Sequence, residues 1–197
     1  MSTRLPDACL DQVFRTARTR NGWTPEAVSE ALLREIYAMA ALAPTASNAQ
    51  PARFVFLTSD EAKQRLAPHM SSGNRAKTLA APVNVLMAYD LNFADHIPKL
   101  FPHNPTAGDW FKSNAGLARE TAFRNGSLQA AYLMLAARSL GLDCGPMSGF
   151  KADGVNAEFF GGTGWEVNFV CNIGYGTDQN LFPRNPRLAF EEACLIL

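Results

Sequence analysis

Cysteine is scarce in this chain, and an excess of charge of either sign is missing altogether. Four cysteines occur in 197 residues: Cys9, Cys144, Cys171 and Cys194. No two form a C-x-x-C pair, and His69, His96 and His103 lie far from them in sequence. That spacing argues against a zinc or other metal site and leaves the cysteines as small core residues of a reducing compartment. Eighteen basic residues offset eighteen acidic ones, so the formal net charge is zero. A neutral chain without a recognisable nucleic-acid motif points away from DNA or RNA as a partner. No run approaches the roughly 18 apolar residues of a membrane span, and the start, Met1 to Asp7, has no apolar signal core. The expectation is a cytoplasmic protein with no membrane partner.

What is there is the material of a packed domain. Hydrophobic residues make up 47% and charged residues 18%, which suits one globular unit across residues 1–197. Thr24-Pro25-Glu26 reads as a helix start: hydroxyl cap, proline at the first position, acid in the first turn. Val28, Leu32, Ile36, Met39 and Ala43 follow at spacings of three and four, and Pro44 stops the pattern. Arg53 to Thr58, Val83 to Tyr89 and Val167 to Ile173 read as apolar strands, and Ser59-Asp60-Glu61 caps a helix between the first two. The longest helix runs from about Asn114 to Leu140, with Gly141 as its stop. Leu117, Thr121, Asn125, Leu128, Tyr132 and Leu135 lie along one stripe of it, facing the core, a second subunit, or both. Asp143 to Gly149 reads as a short turn. The proline- and aromatic-rich excursion at about 91–113 has the look of a lid, and the last residues, Phe190 to Leu197, are too apolar for a free tail.

Five segments carry candidate chemistry. Arg18-Thr19-Arg20 places two guanidiniums around a hydroxyl, an arrangement suited to phosphate. Pro44-Thr45-Ala46-Ser47-Asn48-Ala49-Gln50-Pro51 joins helix to strand with short polar side chains that allow close approach to a flat polar ligand. Asn74 and Lys77 stand three apart and face the same way on a helical turn. Pro146-Met147-Ser148-Gly149-Phe150 is a turn whose glycine permits close backbone approach. Arg184-Asn185-Pro186-Arg187 is a basic segment near the carboxy terminus.

In this order the five segments resemble the motifs of the nitroreductase family. Arg18-Thr19-Arg20 is similar to its R-S-x-R phosphate motif, with Asn21 at the second basic position. The stretch from Pro44 resembles P-S-x-x-N-x-Q-P-W-x-F, with Thr45 for serine and Ala52 for tryptophan. Pro146 to Phe150 resembles P-x-x-G-F, and Arg187 matches the arginine of K-x-R-x-P-L-E-E. The resemblance spans nearly the whole chain. It implies an α+β fold, a mixed central sheet flanked by helices, in an interwoven homodimer whose carboxy-terminal arm, here about 178–197, reaches across the partner. FMN would lie at the dimer interface, with NADPH or NADH as reductant and hydride transfer through flavin N5.

The resemblance also implies roles. Arg18, Thr19, Arg20, Arg187 and either Arg184 or Asn185 would hold the phosphate. Pro44, Thr45, Ala46, Asn48 and Gln50 would contact the flavin. Asn74 and Lys77 would meet its pyrimidine edge, and Pro146, Met147, Ser148 and Gly149 would bring an amide to N5. No side chain is marked as a catalytic acid. Trp110 or Phe111 would roof the substrate pocket, and Arg124 or Arg75 would meet a carboxylate substrate. Phrases such as Asn21-Gly22-Trp23, Pro51-Ala52-Arg53-Phe54 and Glu120-Thr121-Ala122-Phe123-Arg124-Asn125 are similar to the malonic-semialdehyde reductase branch of the Rut pyrimidine-degradation pathway. That implies reduction of malonic semialdehyde to 3-hydroxypropanoate. The alternatives are a broad reductase of nitroaromatics and quinones, acting on small carbonyl or nitro compounds, and a flavin-binding protein without turnover.

Overall fold

The computed structural model describes residues 3–197. The beginning of the amino-terminal stretch, Met1 and Ser2, lies outside the described residues. The helices in chain order are α1 (Asp7–Leu10), α2 (Glu30–Ala40), α3 (Asp60–Leu66), α4 (Ser72–Ala80), α5 (Ile97–Leu100), α6 (Asp109–Lys112), α7 (Ala115–Ser139), α8 (Ala152–Phe159) and α9 (Phe190–Ala193). The strands are β1 (Gly22–Trp23), β2 (Ala52–Leu57), β3 (Val83–Asp90), β4 (Asp143–Met147), β5 (Trp165–Gly174) and β6 (Gly176–Thr177). Four of them form the central sheet in the order β2-β3-β5-β4, every pair antiparallel. A single parallel bridge, Thr19 to Cys144, lays the amino-terminal segment along the outer edge of β4 and makes the sheet mixed. The α+β architecture is therefore as expected.

Both faces of the sheet are covered, which is why every residue of β3 is buried. Val83, Val85 and Met87 pack with Cys171 and Ile173 against Leu33, Ile36 and Ala40 of α2 and Ala130, Leu133 and Ala137 of α7. The alternate residues Leu86, Ala88 and Val170 pack with Leu66, Met70, Val155 and Phe160 on the other face. This is the period-two alternation of a strand with two apolar neighbours. The excursion at 91–113 brings its own small core: Phe93, Ala94, Ile97, Ala107 and Phe111 are buried together with Ala118 and Ala122 of α7.

Three expectations shift. The first long helix begins at Glu30, not at Thr24, and Ser29 caps it, its Oγ accepting from the Leu32 N–H at 3.2 Å. Thr24 cannot start a helix because Gly22 and Trp23 are paired with Thr177 and Gly176 in a two-stranded ribbon, and its own N–H donates to Tyr175 O at 2.8 Å. Residues 143–147 form the edge strand β4 rather than a turn. Pro146 is tolerated there because the edge of a sheet makes little demand on a backbone donor. The long helix α7 is placed as expected, with Asn114 accepting at its start and Gly141 at φ +85° after its end. Its faces divide differently. Ala118, Thr121, Ala122, Asn125, Gln129, Ala130 and Leu133 are buried, whereas Leu117, Phe123, Leu128 and Tyr132 are exposed. The sheet edge at β2 pairs with no further strand among the described residues.

Candidate functional site

The amino-terminal segment lies flush on β4 because Gly145 has no side chain. A Cβ there would sit 2.6 Å from Arg20 O, and Arg20 N donates to Cys144 O at 3.0 Å. This places Arg18 and Thr19 at the mouth of a cleft of about 450 Å³, walled also by Phe14, Arg138, Arg184 and Arg187. The segment after β6 forms the far wall. Arg18 donates to Phe182 O, and Arg184 Nη2 donates to Arg15 O at 2.8 Å and Ala17 O at 2.9 Å. Four guanidiniums thus converge, and no carboxylate lines the cleft. The Nε of Arg138 is buried without a partner. Such a surplus of fixed positive charge suits a phosphate, which accepts from planar paired donors.

The expected residues divide at this cleft. Arg18, Thr19, Arg184, Asn185 and Arg187 line it together. Arg20 does not. Its guanidinium is paired with Asp143 and Asp178, so its charge is spent on holding β6 against β4. Arg187 Nη1 rests on its own neighbours, Asn185 O at 2.9 Å and Pro186 O at 3.1 Å. Arg138 was missing from the sequence reading. Its signal was a lone arginine in the last turn of a long helix, a common and uninformative feature.

The second group adjoins the first. Asn74 Nδ2 donates to Gly149 O at 3.0 Å, and Ser71 N donates to the same oxygen at 3.0 Å. Gly149 is required: a Cβ would lie 2.6 Å from Asn74 Nδ2 and 2.9 Å from Ser71 Oγ. The turn and the helical pair, 75 residues apart, therefore meet. Lys77 Nζ donates to Asn21 Oδ1 at 3.1 Å, and Asn21 itself lines the arginine cleft. Burial lowers the Lys77 ammonium below the ordinary lysine value, and no carboxylate lies within 4.0 Å of it among the described residues. Beyond the turn, Met134, Pro146, Met147, Ser148 and Phe169 form a shallow, mostly apolar shelf of about 370 Å³. Arg138 of the cleft and Met134 of the shelf are one turn apart on α7, and Lys77 bonds Asn21 of the cleft, an arrangement that suits an elongated ligand, anionic at one end and flat at the other. FMN has that shape.

The third group stands apart. In the segment from Pro44 to Gln50, three non-glycine residues hold left-handed backbone: Ser47 at φ 51°, Asn48 at 47° and Gln50 at 41°. Local bonds hold them there. Gln50 N donates to Thr45 Oγ1 at 3.2 Å, Gln50 Nε2 to Asn48 Oδ1 at 2.9 Å, and Asn48 Nδ2 to Leu100 O at 2.7 Å. Ala46 N donates to Asn125 Oδ1 at 2.9 Å and Ala52 N to Gln129 Oε1 at 3.0 Å, which stitches the segment to α7. Asn125 and Arg138 are 13 positions apart on α7, a rise of about 20 Å. Pro44, Ala46 and Asn48 are exposed, and no residue of the segment lines the arginine cleft or the shelf. Of the substrate candidates, Trp110 is exposed, Phe111 is buried with its ring 5.0 Å from that of Phe93, and Arg124 pairs with Glu120 on the open face of α7. Arg75 donates to Ala67 O at 3.0 Å.

Comparison with known proteins gives one consistent answer. The family described as "Nitroreductase family" matches residues 15–175. A protein of Caulobacter vibrioides NA1000, provisionally named NADH dehydrogenase/NAD(P)H nitroreductase, is 55% identical over 195 residues, 98% of this chain and 99% of its own. A nitroreductase-type crystal structure from Bacillus subtilis superposes with a TM-score of 0.88 at 21% identity, covering 98% of this chain and all of the other. One from Exiguobacterium sibiricum, in complex with FMN, does so at 0.85 and 20% identity over the full length of both chains. Among the described residues no helix is long and apolar enough to cross a membrane, and no group of metal-ligating side chains occurs.

Proposed function

The chain belongs to the nitroreductase family, and on that premise we propose that it is an FMN-dependent NAD(P)H oxidoreductase assembled as a homodimer. Bound FMN supplies a two-electron carrier between the nicotinamide and an oxidised acceptor. The chain's own residues do the rest. Arg18, Arg187, Arg138 and Thr19 hold the phosphate. Asn74 and Lys77 meet the pyrimidine edge, where an ammonium favours negative charge. The Ser148–Gly149 turn presents backbone beside the shelf. Pro44 to Gln50 completes the site from a second copy.

The separation of the third group from the arginine cleft, about 20 Å along α7 between Asn125 and Arg138, carries this reading. A segment rich in flavin-suited groups is rigid, exposed and out of reach of its own chain's cleft, so a two-fold assembly is the simple way to use it. Three further features support the dimer. Leu117, Phe123, Leu128 and Tyr132 expose an apolar face of α7. A groove of about 730 Å³, lined by Leu33, Tyr37, Phe54 and Phe56, runs beside the open edge of β2. The arm past Phe182 leaves Leu188, Phe190, Leu195 and Ile196 exposed among the described residues.

Mixing two inactive variants tests the composite site. Arg18→Ala damages the cleft, and a proline-for-serine change at Ser47 damages the other segment. Refolded together, a heterodimer holds one doubly damaged and one intact site, so about a quarter of the wild-type sites should return. No recovery, with both variants folded and dimeric, would place the whole site in one chain.

For the acceptor we propose a small carbonyl or nitro compound, with malonic semialdehyde as the specific candidate. Ala52 and Ser148 support it, since both fit the branch that this chain resembles. The test compares the rates at which malonic semialdehyde and a nitroaromatic reoxidise the NAD(P)H-reduced protein. A fast nitroaromatic and an inert aldehyde would replace this reading with that of a general reductase. A flavin that neither nucleotide reduces would remove the enzyme reading.

A further inference from the structure

Two fully buried amides stand in the middle of the sheet. Asn84 of β3 and Asn172 of β5 are directly opposed in register, and neither has any exposed surface. Their neighbours along the strands are Val83, Val85, Cys171 and Ile173, all buried. An amide in such a place is costly unless it is bonded, and Asn84 Oδ1 has no partner at all.

What the pair holds is specific. Asn172 Nδ2 donates to the backbone carbonyl of Lys77 at 3.0 Å. Asn84 Nδ2 donates to the carbonyl of Thr78 at 2.9 Å and to Asn172 Oδ1 at 2.8 Å. Those carbonyls belong to the last turn of α4, whose acceptors lack partners within the helix. The other end of α4 is tied to Gly149 through Asn74. The helix that carries both pyrimidine-edge candidates is thus pinned at each end to the sheet or to the turn. The side chain of Lys77 has only a neutral partner, Asn21. With no ion pair to hold its ammonium, its place is set by its backbone, and its backbone is set by Asn172.

We propose that the Asn84–Asn172 pair is a positioning device for Lys77, and that through Lys77 it sets how strongly the protein prefers reduced over oxidised FMN. This rests on the FMN reading above. Neither asparagine touches the ligand. A purely structural cap would alter stability and leave that preference alone.

The test is a double-mutant cycle on the reduction potential of bound FMN, using Asn172→Leu, Lys77→Met and both together. Asn172→Leu is expected to cost about tenfold in relative affinity for the reduced form, a shift of about 30 mV to more negative potential. In the Lys77→Met background the same substitution should shift nothing. An equal shift in both backgrounds, or none in either, overturns the proposal. If Asn172→Leu does not fold, Asn172→Thr removes the same donor with a residue suited to a strand. A wild-type protein that takes up no FMN refutes the functional reading instead. The positioning claim then stands or falls on flavin-free protein with ¹⁵N-labelled lysine side chains. Asn172→Thr should move the Lys77 resonance while leaving those of Lys63, Lys99, Lys112 and Lys151 in place, and an unmoved Lys77 resonance overturns it.

Discussion

The carboxy-terminal end of α7 and its middle serve regions built on opposite principles. At the end, Arg138 joins Arg18, Arg184 and Arg187 around a cleft with no carboxylate in its wall. Beside the middle, the segment from Pro44 to Gln50 satisfies itself. Thr45, Asn48 and Gln50 bond one another and Leu100 O, and Asn125 and Gln129 anchor the backbone. One region holds charge in reserve. The other spends its polar groups on fixing an otherwise strained backbone. The difference separates two kinds of binding surface: one that attracts by field and one that offers a rigid shape. Substitutions should therefore be felt in affinity at the first and in stability at the second.

The largest effect should come from the cleft. Arg18→Ala or Arg187→Ala removes a charge-assisted contact of about 1.5–3 kcal/mol, or roughly 10- to 150-fold in the FMN dissociation constant. Arg138→Ala should act in the same direction. Titration of flavin-free protein reads all three, and unchanged constants would erase the contrast between the two regions.

In the other region, Gln129→Leu strands the N–H of Ala52, which is buried. The expected loss is about 1–3 kcal/mol of unfolding free energy by denaturant titration, with monomer-level phosphate affinity intact. If affinity falls as far as stability, the two regions are coupled more tightly than their separation suggests.

Lys77 sharpens the comparison because it should move the two readouts in opposite directions. Burial lowers its folded-state value, so protonated Lys77 opposes folding in the flavin-free protein, and the penalty fades as pH rises through that lowered value. Lys77→Met should slightly stabilise flavin-free protein at pH 7 while weakening FMN binding. A loss of stability without ligand would contradict the desolvation argument.

The smallest effect belongs to a partly exposed ion pair near the start of α7, outside both groups. Glu166 takes hydrogen bonds from Arg119, at 2.7 Å to Oε1, and from Tyr89 Oη at 2.7 Å. The Arg119 bond holds its carboxyl below the ordinary range despite partial burial, and burial together with the Glu166 bond pushes Tyr89 up to about 12. A carboxylate with a lowered folded value stabilises above the ordinary carboxylate range, and that contribution is lost as pH falls through the folded value. Glu166→Gln should cost about 1 kcal/mol or less at pH 7, since Arg119 is more than half exposed. The difference should shrink as pH falls through that lowered value.

Much of the fold was legible because it rests on local chemistry. Asn114 and Gly141 bracket α7, Ser59 caps α3, and the apolar run at Val83 forms a strand buried on both faces. What the sequence concealed depends on distant partners. Thr24-Pro25-Glu26 has every mark of a helix start, yet Tyr175 and Gly176 claim the chain first. Gly145 and Pro146 look like strand breakers, yet the glycine is what admits Arg20 against β4. The site shows the same division. Spacing suggested that Asn74 and Lys77 share a face, but their junction with Gly149 and Asn21 is a tertiary fact. Local pattern marks Arg20 and leaves Arg138 unmarked, yet Asp143 and Asp178 neutralise Arg20, and Arg138 has no carboxylate partner among the described residues.

The sheet's two edges meet different fates. The chain bridges β4 with its own amino-terminal segment, whereas β2, next to Tyr37 and Phe54, has no strand on its outer side among the described residues. Unclaimed backbone donors and acceptors beside greasy side chains recruit whatever extended polypeptide arrives. A freshly made protomer is therefore vulnerable in a way its finished core is not. Its safety depends on how soon that edge is covered, and until then crowding at high concentration favours clumping.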